Sequence, residues 1–260
     1  MENIQLRVKY LNNDDEITKI QALWRGRRTR KNLHISYVTE IVDIKKLNLD
    51  IPKLTECVSK YMDGKKDYIL ARGCSLTIGE NSIEEYWIEK CSKRKEYIGG
   101  GSCPIDVLTD EDVGIDSFCV TMNKNESNEK SLMQKFRECG TMLDNLWAEK
   151  KYTEAINGYL DCFKKKIKTA LQKYKISDFY YIAFISTKDS VYLTALKMNI
   201  DNFNKLIVDD DKKIDKSIFI KNFINPSYGN VKLYKSKKRL ELRFKKNILD
   251  KSTLLYHISS

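Results

Sequence analysis

Pairs of short apolar runs joined by tight polar turns recur along this chain, and they constrain its fold more than any other feature. Three such pairs occupy residues 104–122, 176–200 and 231–246. Apolar runs of this length, separated by turns rich in Asp, Glu, Lys or Ser, predict β-hairpins. The core of the protein is therefore expected to form around β-sheet structure.

Helical periodicity fills much of the remaining sequence. Apolar spacing and helix-capping residues predict five helices, over residues 16–33, 51–62, 81–95, 130–147 and 152–175. Helices that alternate with hairpins predict an α/β fold, or alternatively an α+β fold, with one central mixed sheet flanked by helices. We expect a basic helix in residues 1–36, followed by one α/β domain in residues 37–260.

The charge balance indicates what the protein binds. Lysine and arginine outnumber acidic residues by 47 to 36, which gives a formal net charge of +11. An excess of this size predicts a polyanionic partner, either nucleic acid or an anionic membrane surface. The alternative is a compositional bias, since the chain is also rich in Asn, Ile and Tyr.

Cysteine usage and hydropathy indicate the compartment. The seven cysteines form no CxxC pair, and only two histidines are present. A zinc site and a disulfide framework are therefore not expected, whereas reduced thiols are. No segment approaches the roughly 18 apolar residues of a membrane span, and no apolar signal sequence begins the chain. We predict an intracellular protein, cytoplasmic or nuclear, with no membrane partner.

A basic segment near the N-terminus carries a specific pattern. Residues 20–33 read IQALWRGRRTRKNL and resemble the IQ motif, a helical calmodulin-binding element. The residues that fill the pattern are Ile20, Gln21, Arg25, Gly26 and Arg30. The resemblance implies binding to a calmodulin-like protein, and an apolar stripe surrounded by cations fits an acidic groove.

Two other interpretations of residues 20–33 stay open. The cationic face of the helix could bind nucleic-acid phosphates. Alternatively, the helix packs against its own domain through Trp24.

Two aspartates interrupt the apolar runs of the first predicted hairpin. Asp106 and Asp116 lie on either side of its turn, and the expected register places them opposite one another. Opposite residues have Cβ atoms about 5 Å apart, close enough to share a cation. Because a carboxylate within an apolar strand is costly unless compensated, a shared divalent cation is one explanation. The alternative is that both are ordinary acids flanking a turn.

The surrounding string, residues 99–120 (GGGSCPIDVLTDEDVGIDSFCV), resembles the PD-(D/E)XK restriction-endonuclease superfamily. Asp106 stands near the first acidic position of that motif and Asp116 at the second. The resemblance covers about residues 75–200. It implies a restriction-endonuclease-like sheet and a type II restriction-like DNA endonuclease, in which these two aspartates bind Mg²⁺ for phosphodiester hydrolysis. Glu85, or else Glu84, would supply a further helix carboxylate.

The sequence departs from this family at one position. The motif requires a lysine two residues after the second acid, where this chain has Phe118. We expect Lys124 to take its place and to orient the attacking water. Two alternatives remain, a catalytically inactive nucleic-acid-binding relative and an interaction protein that docks through residues 20–33.

The last predicted hairpin supplies the best candidate surface for phosphates. Tyr234 and Phe244 are interleaved with its many basic residues. The residues expected to contact DNA are Lys237, Lys238 and Arg239, with Gln134 and Lys135 on the predicted helix 130–147. The alternative is an edge hairpin that its lysines protect from aggregation. A homodimer is also left open.

Overall fold

The computed structural model describes residues 36–47, 49–63, 94–97, 104–128, 130–133, 141–209, 217–234 and 239–258. The chain divides into two units, Met1–Ser36 and Tyr37–Ser260, and all the elements given below belong to the second. The predicted helix over 16–33 lies outside the described residues. The assignment of residues 1–36 to a basic helix therefore stays a prediction.

Short strands make up most of the described structure. They are β1 (Thr39–Val42), β2 (Arg94–Tyr97), β3 (Val107–Thr109), β4 (Val113–Thr121), β5 (Lys130–Met133), β6 (Asp178–Ser186), β7 (Ser190–Met198), β8 (Ile207–Asp209), β9 (Ser217–Lys221), β10 (Gly229–Tyr234), β11 (Arg239–Phe244) and β12 (Thr253–His257). The α-helices are α1 (Ile51–Asp63), α2 (Thr141–Ala148) and α3 (Tyr152–Lys173). Short 3₁₀ segments cover Ile44–Leu47, Ile200–Lys205 and Lys246–Lys251.

The strands form two sheets, so the mixed α/β class is confirmed and the expectation of one central sheet is wrong. The first sheet has seven strands in the order β1-β7-β6-β4-β3-β2, and β12 also pairs with β7. Within it β4 and β6 are parallel, and the other pairs are antiparallel. The second sheet has the order β5-β11-β10-β9-β8 and is antiparallel throughout.

The parallel pair at the centre of the first sheet needs a long connection. A hairpin cannot join parallel strands, so the chain must cross from one end of the sheet to the other. Between β4 and β6 the chain forms β5, which belongs to the second sheet, and then α2 and α3. The connection that closes the first sheet therefore also contributes a strand to the second.

Helices cover both faces of the first sheet. Residue Asp50 accepts a hydrogen bond from the Lys53 N–H (3.0 Å) at the start of α1, and Leu54 and Val58 then pack with one set of sheet residues. On α3 the buried side chains recur every three or four positions and pack with the other set. Residue Ile115 of β4 belongs to the α1 side and Phe118 to the α3 side.

Most of the predicted elements are confirmed. The hairpins at 104–122 and 176–200 form, as do the helices over 51–62 and 152–175, and the strands of the third hairpin pair with each other. Two helix predictions are partly wrong. Residues Lys130–Met133 form a strand that pairs with β11, and Arg94–Tyr97 form a strand that pairs with β3. At both places the open edge of a sheet overrides local helix propensity.

Two further sequence expectations meet the structure here. The prediction of reduced thiols throughout is wrong at Cys162 on α3, which is disulfide-bonded, whereas Cys119 on β4 is a free thiol. Among the helices that the structure describes, none is both long enough and apolar enough to cross a membrane.

Candidate acidic site on the first sheet

The second predicted acid, Asp116, lies in the middle of β4. In the parallel pairing of β4 with β6 its register partner is Tyr181. Because side chains alternate along a strand, Asp116 projects from the same face of the sheet as Phe118, the face covered by α3. It is half-buried there, between apolar neighbours on its own strand. A carboxylate is thus held on rigid backbone at the edge of an apolar layer.

The first predicted acid, Asp106, lies immediately before β3 and is fixed to β4 by two hydrogen bonds. Its N–H donates to the carbonyl of Ile115 (2.8 Å), and its Oδ2 accepts from the N–H of Ser117 (3.1 Å). The carboxylate therefore bonds to the residue next to Asp116. The β3–β4 register, which pairs Val107 with Ile115, would set Asp106 opposite Asp116 if it continued by one residue.

Both negative charges act on a buried phenol. Tyr181 has 1% of its surface exposed. Burial raises the pKa of Tyr181 well above its ordinary value, and the charges of Asp116 and Asp106 raise it further. Since each carboxylate perturbs the same hydroxyl, the two lie around one point of the sheet. The Tyr181 hydroxyl is accordingly a neutral hydrogen-bond donor at physiological pH.

Sequence reasoning did not find Tyr181. It lies on a strand more than sixty residues from the first hairpin, in the run DFYYIAFIS, where three aromatic residues follow one another. Composition alone marks this run as core. Only the register of β4 against β6 distinguishes Tyr181 from its neighbours, and that register depends on the whole crossover connection.

Position 118, where the superfamily motif has its lysine, is part of the core. The Phe118 side chain is 1% exposed. Its ring meets the ring of Tyr181 edge-on (centroids 6.0 Å apart) and stacks on that of Phe244 from the second sheet (6.2 Å). An ammonium group at this position would lie among aromatic rings, where burial opposes its charged form. The position thus serves the packing of two sheets.

The proposed replacement, Lys124, is far from the two aspartates. It lies beyond the end of β4, in a turn closed by a hydrogen bond from the Asn123 N–H to the Glu126 carbonyl (3.0 Å). A strand advances about 3.3 Å per residue, so the stretch from Asp116 to Thr121 alone spans about 17 Å. That exceeds the reach of a lysine side chain, and the structure does not bring Lys124 to the carboxylates.

Most of the other predicted site residues lie outside the described part of the chain. They are Glu84, Glu85, Gln134, Lys135, Lys237, Lys238, Ile20, Gln21, Arg25, Gly26 and Arg30. Arg239 is the first residue of β11, paired with Tyr234. The roles assigned to all of these residues stay predictions.

The basic hairpin β10–β11 is only partly as predicted. The ring of Tyr234 lies beneath two cations, with Lys232 Nζ 5.2 Å and Arg243 Cζ 5.7 Å from its centroid. Phe244, by contrast, is fully buried and packs on Phe118, so it does not belong to a basic surface. The same hairpin also contains a fully buried acid, Glu241, whose Oε2 lies 3.8 Å from Arg243 Nη2.

The donor set at Asp106 and Asp116 suits a hard cation. Within the described ranges no group of three or more His, Cys, Asp or Glu side chains could hold a metal ion. Mg²⁺ does not need such a cage, because it is commonly bound by one or two carboxylates together with waters and substrate phosphates. Two carboxylates fixed on neighbouring strands therefore fit Mg²⁺ better than zinc, which prefers nitrogen and sulfur ligands.

Comparison with known proteins identifies one segment. The family model of the IQ calmodulin-binding motif matches residues 15–34, which include the pattern at 20–33. The chain therefore carries an IQ calmodulin-binding motif, and this part of the sequence interpretation is confirmed. No curated protein and no solved structure matches the chain.

Proposed function

We propose that the domain formed by residues 37–260 is a type II restriction-like, Mg²⁺-dependent DNA endonuclease with its active site at Asp106 and Asp116. The observation that carries this proposal is the convergence of the two carboxylates around Tyr181. They come from separate strands, and backbone hydrogen bonds and register fix both of them. Such an arrangement of acids on rigid backbone is what phosphodiester hydrolysis with a divalent cation requires.

Topology and charge support the proposal. The antiparallel strands β2, β3 and β4 lead into a crossover that returns as the parallel strand β6, so both acids lie next to the centre of the sheet. A restriction-endonuclease-like sheet, which the sequence resemblance implies, is consistent with this order. The formal charge of +11 favours association with DNA.

In the proposed mechanism the residues of the chain bind and orient. Asp106 and Asp116 would hold Mg²⁺, and the Ser117 N–H keeps the Asp106 carboxylate in place. The bound cation supplies a water of lowered pKa and neutralises charge that develops on the phosphate. Because Phe118 occupies the lysine position, this mechanism assigns no proton transfer to residue 118.

The test is DNA cleavage by Asp116→Asn in the full chain. We expect loss of Mg²⁺-dependent cleavage with an unchanged or raised melting temperature, since the variant loses one of two neighbouring negative charges. Asp112→Asn is the matched control. It makes the same change in the same hairpin, at a positive φ of 57° that asparagine adopts well. Wild-type cleavage by Asp116→Asn would refute the proposal.

A second function is favoured by the IQ motif. We propose that residues 15–34 bind a calmodulin-like protein, independently of any catalytic activity. In a titration of the full chain with calmodulin, Ile20→Ala should weaken binding about tenfold or more, because burying an isoleucine contributes roughly 1.5 to 3 kcal/mol. The control is Ile207→Ala, which removes an isoleucine that is 53% exposed on β8. Equal weakening by both variants would contradict a specific role for the motif.

A further inference from the structure

The hydroxyl of Tyr181 is the polar group most deeply associated with the acidic site. Tyr181 neighbours Asp116 in the register of β4 and β6, and both aspartates act on it electrostatically. The residue is almost completely buried. A buried phenol normally has a hydrogen-bond partner, since leaving a donor unmet is costly. The hydroxyl is therefore expected to donate to a group at the acidic site.

The ring of Tyr181 is held firmly by its neighbours. Phe179 meets it edge-on with centroids 5.1 Å apart, and Phe118 does the same at 6.0 Å. These contacts fix the plane of the ring and hence the direction of the O–H group. A donor so placed needs no reorganisation when a ligand arrives, which is the property required of a group that stabilises developing charge.

The position of this donor relates it to the lysine that the chain lacks. A lysine at 118 would extend from the face of the sheet that carries Asp116, two residues further along the same strand. Phe118 instead packs its ring against Tyr181. The substitution that removes a cationic donor from β4 thus supports a neutral donor on the adjacent strand β6.

We propose that Tyr181 is a catalytic residue of the acidic site, and that its O–H donates a hydrogen bond to a non-bridging oxygen of the scissile phosphate. This inference rests on the proposed nuclease function. The hydroxyl keeps its proton throughout and forms no covalent bond. Asp106 and Asp116 can accept but not donate, so the site needs such a donor to meet an anionic phosphate.

The experiment compares Tyr181→Phe with Tyr180→Phe in the full chain. Tyr180 is the next residue on β6, is also buried, and projects from the opposite face of the sheet. For DNA cleavage with Mg²⁺, Tyr181→Phe should lower kcat about 100-fold with little change in KM, as removal of one transition-state donor does. Tyr180→Phe should leave kcat at the wild-type value.

A second readout is independent of turnover. Tb³⁺ serves as the probe, because its luminescence is sensitised by nearby phenol rings. Asp116→Asn should abolish Tb³⁺ binding. Tyr181→Phe should bind Tb³⁺ with wild-type affinity but with reduced emission at saturation, and Tyr180→Phe should show wild-type emission.

The outcomes separate the two proposals. If wild type cleaves DNA and Tyr181→Phe cleaves equally fast, the role of Tyr181 is refuted and the nuclease function stands. If Tyr181→Phe loses kcat and Tb³⁺ affinity together, the residue holds the carboxylates in place, which also refutes phosphate contact. A wild-type protein that binds Tb³⁺ but cleaves no DNA would refute the nuclease function and this inference with it.

Discussion

Substitution of Phe118 tests how the structure uses the position at which the superfamily has its lysine. The sequence resemblance alone predicts that Phe118→Lys restores a missing catalytic group. The structure predicts a folding defect instead, because the side chain is 1% exposed and its ring contacts those of Tyr181 and Phe244. Three variants separate the contributions of volume and charge, namely Phe118→Ala, Phe118→Met and Phe118→Lys.

The expected magnitudes follow from burial. Phe118→Ala removes a fully buried ring and should lower the free energy of unfolding by about 3 to 5 kcal/mol. Phe118→Met keeps most of the volume and should cost about 1.5 kcal/mol. Phe118→Lys has a similar length to methionine but adds a charge. A lysine whose pKa is depressed by three units loses a further 4 kcal/mol, roughly, at a pH below its folded pKa.

Urea denaturation as a function of pH is the assay. A lysine with a depressed folded pKa binds fewer protons in the folded than in the unfolded state, so its stability increases with pH. The gap between Phe118→Lys and Phe118→Met should therefore narrow as pH rises toward the ordinary lysine pKa. Equal stability of these two variants at neutral pH would show that residue 118 opens toward Asp116, and the core assignment would be wrong.

Two remaining predictions concern regions away from the acidic site. Hydrogen bonds from Ser190 and Thr187 lower the pKa of Asp189, so its carboxylate stabilises the fold above the ordinary aspartate pKa and loses that effect as pH falls through the lowered value. Asp189→Asn should therefore lower the melting temperature at pH 7 and have little effect at pH 2. In the third hairpin, replacing Lys237, Lys238 and Arg239 with Ala should flatten the log–log salt dependence of DNA binding by about 0.9 for each phosphate interaction removed. An unchanged slope would mean that these residues do not contact phosphate.

The sequence predicted local elements better than it predicted their arrangement. The hairpins follow from apolar alternation and turn residues, and α3 follows from its regular apolar spacing. The second sheet could not be inferred in this way. Its edge strand β5 has the sequence KSLM, whose local propensity suits a helix, and it forms a strand because β11 offers unpaired backbone groups.

The acidic site was predictable in part, for the same reason. Asp106 and Asp116 belong to one hairpin, so sequence separation and turn position suffice to place them near each other. The contributions of Phe118 and Tyr181 depend on contacts between residues far apart in the chain. Phe118 is buried only because Phe244, from the second sheet, covers it. Nothing in the local sequence around either residue specifies those contacts.

The contact between the two sheets gives a physical reason for the missing lysine. Beyond β4 the chain continues to Ser127, whose N–H donates to the Phe244 carbonyl (2.9 Å) and whose Oγ accepts from the Phe244 N–H (3.0 Å). These bonds fix Phe244 against the ring of Phe118. A lysine at position 118 would remove an aromatic partner from this contact and place a charge within it. The attachment of the second sheet therefore requires an apolar residue at 118, and any further donor for the acidic site has to come from a neighbouring strand.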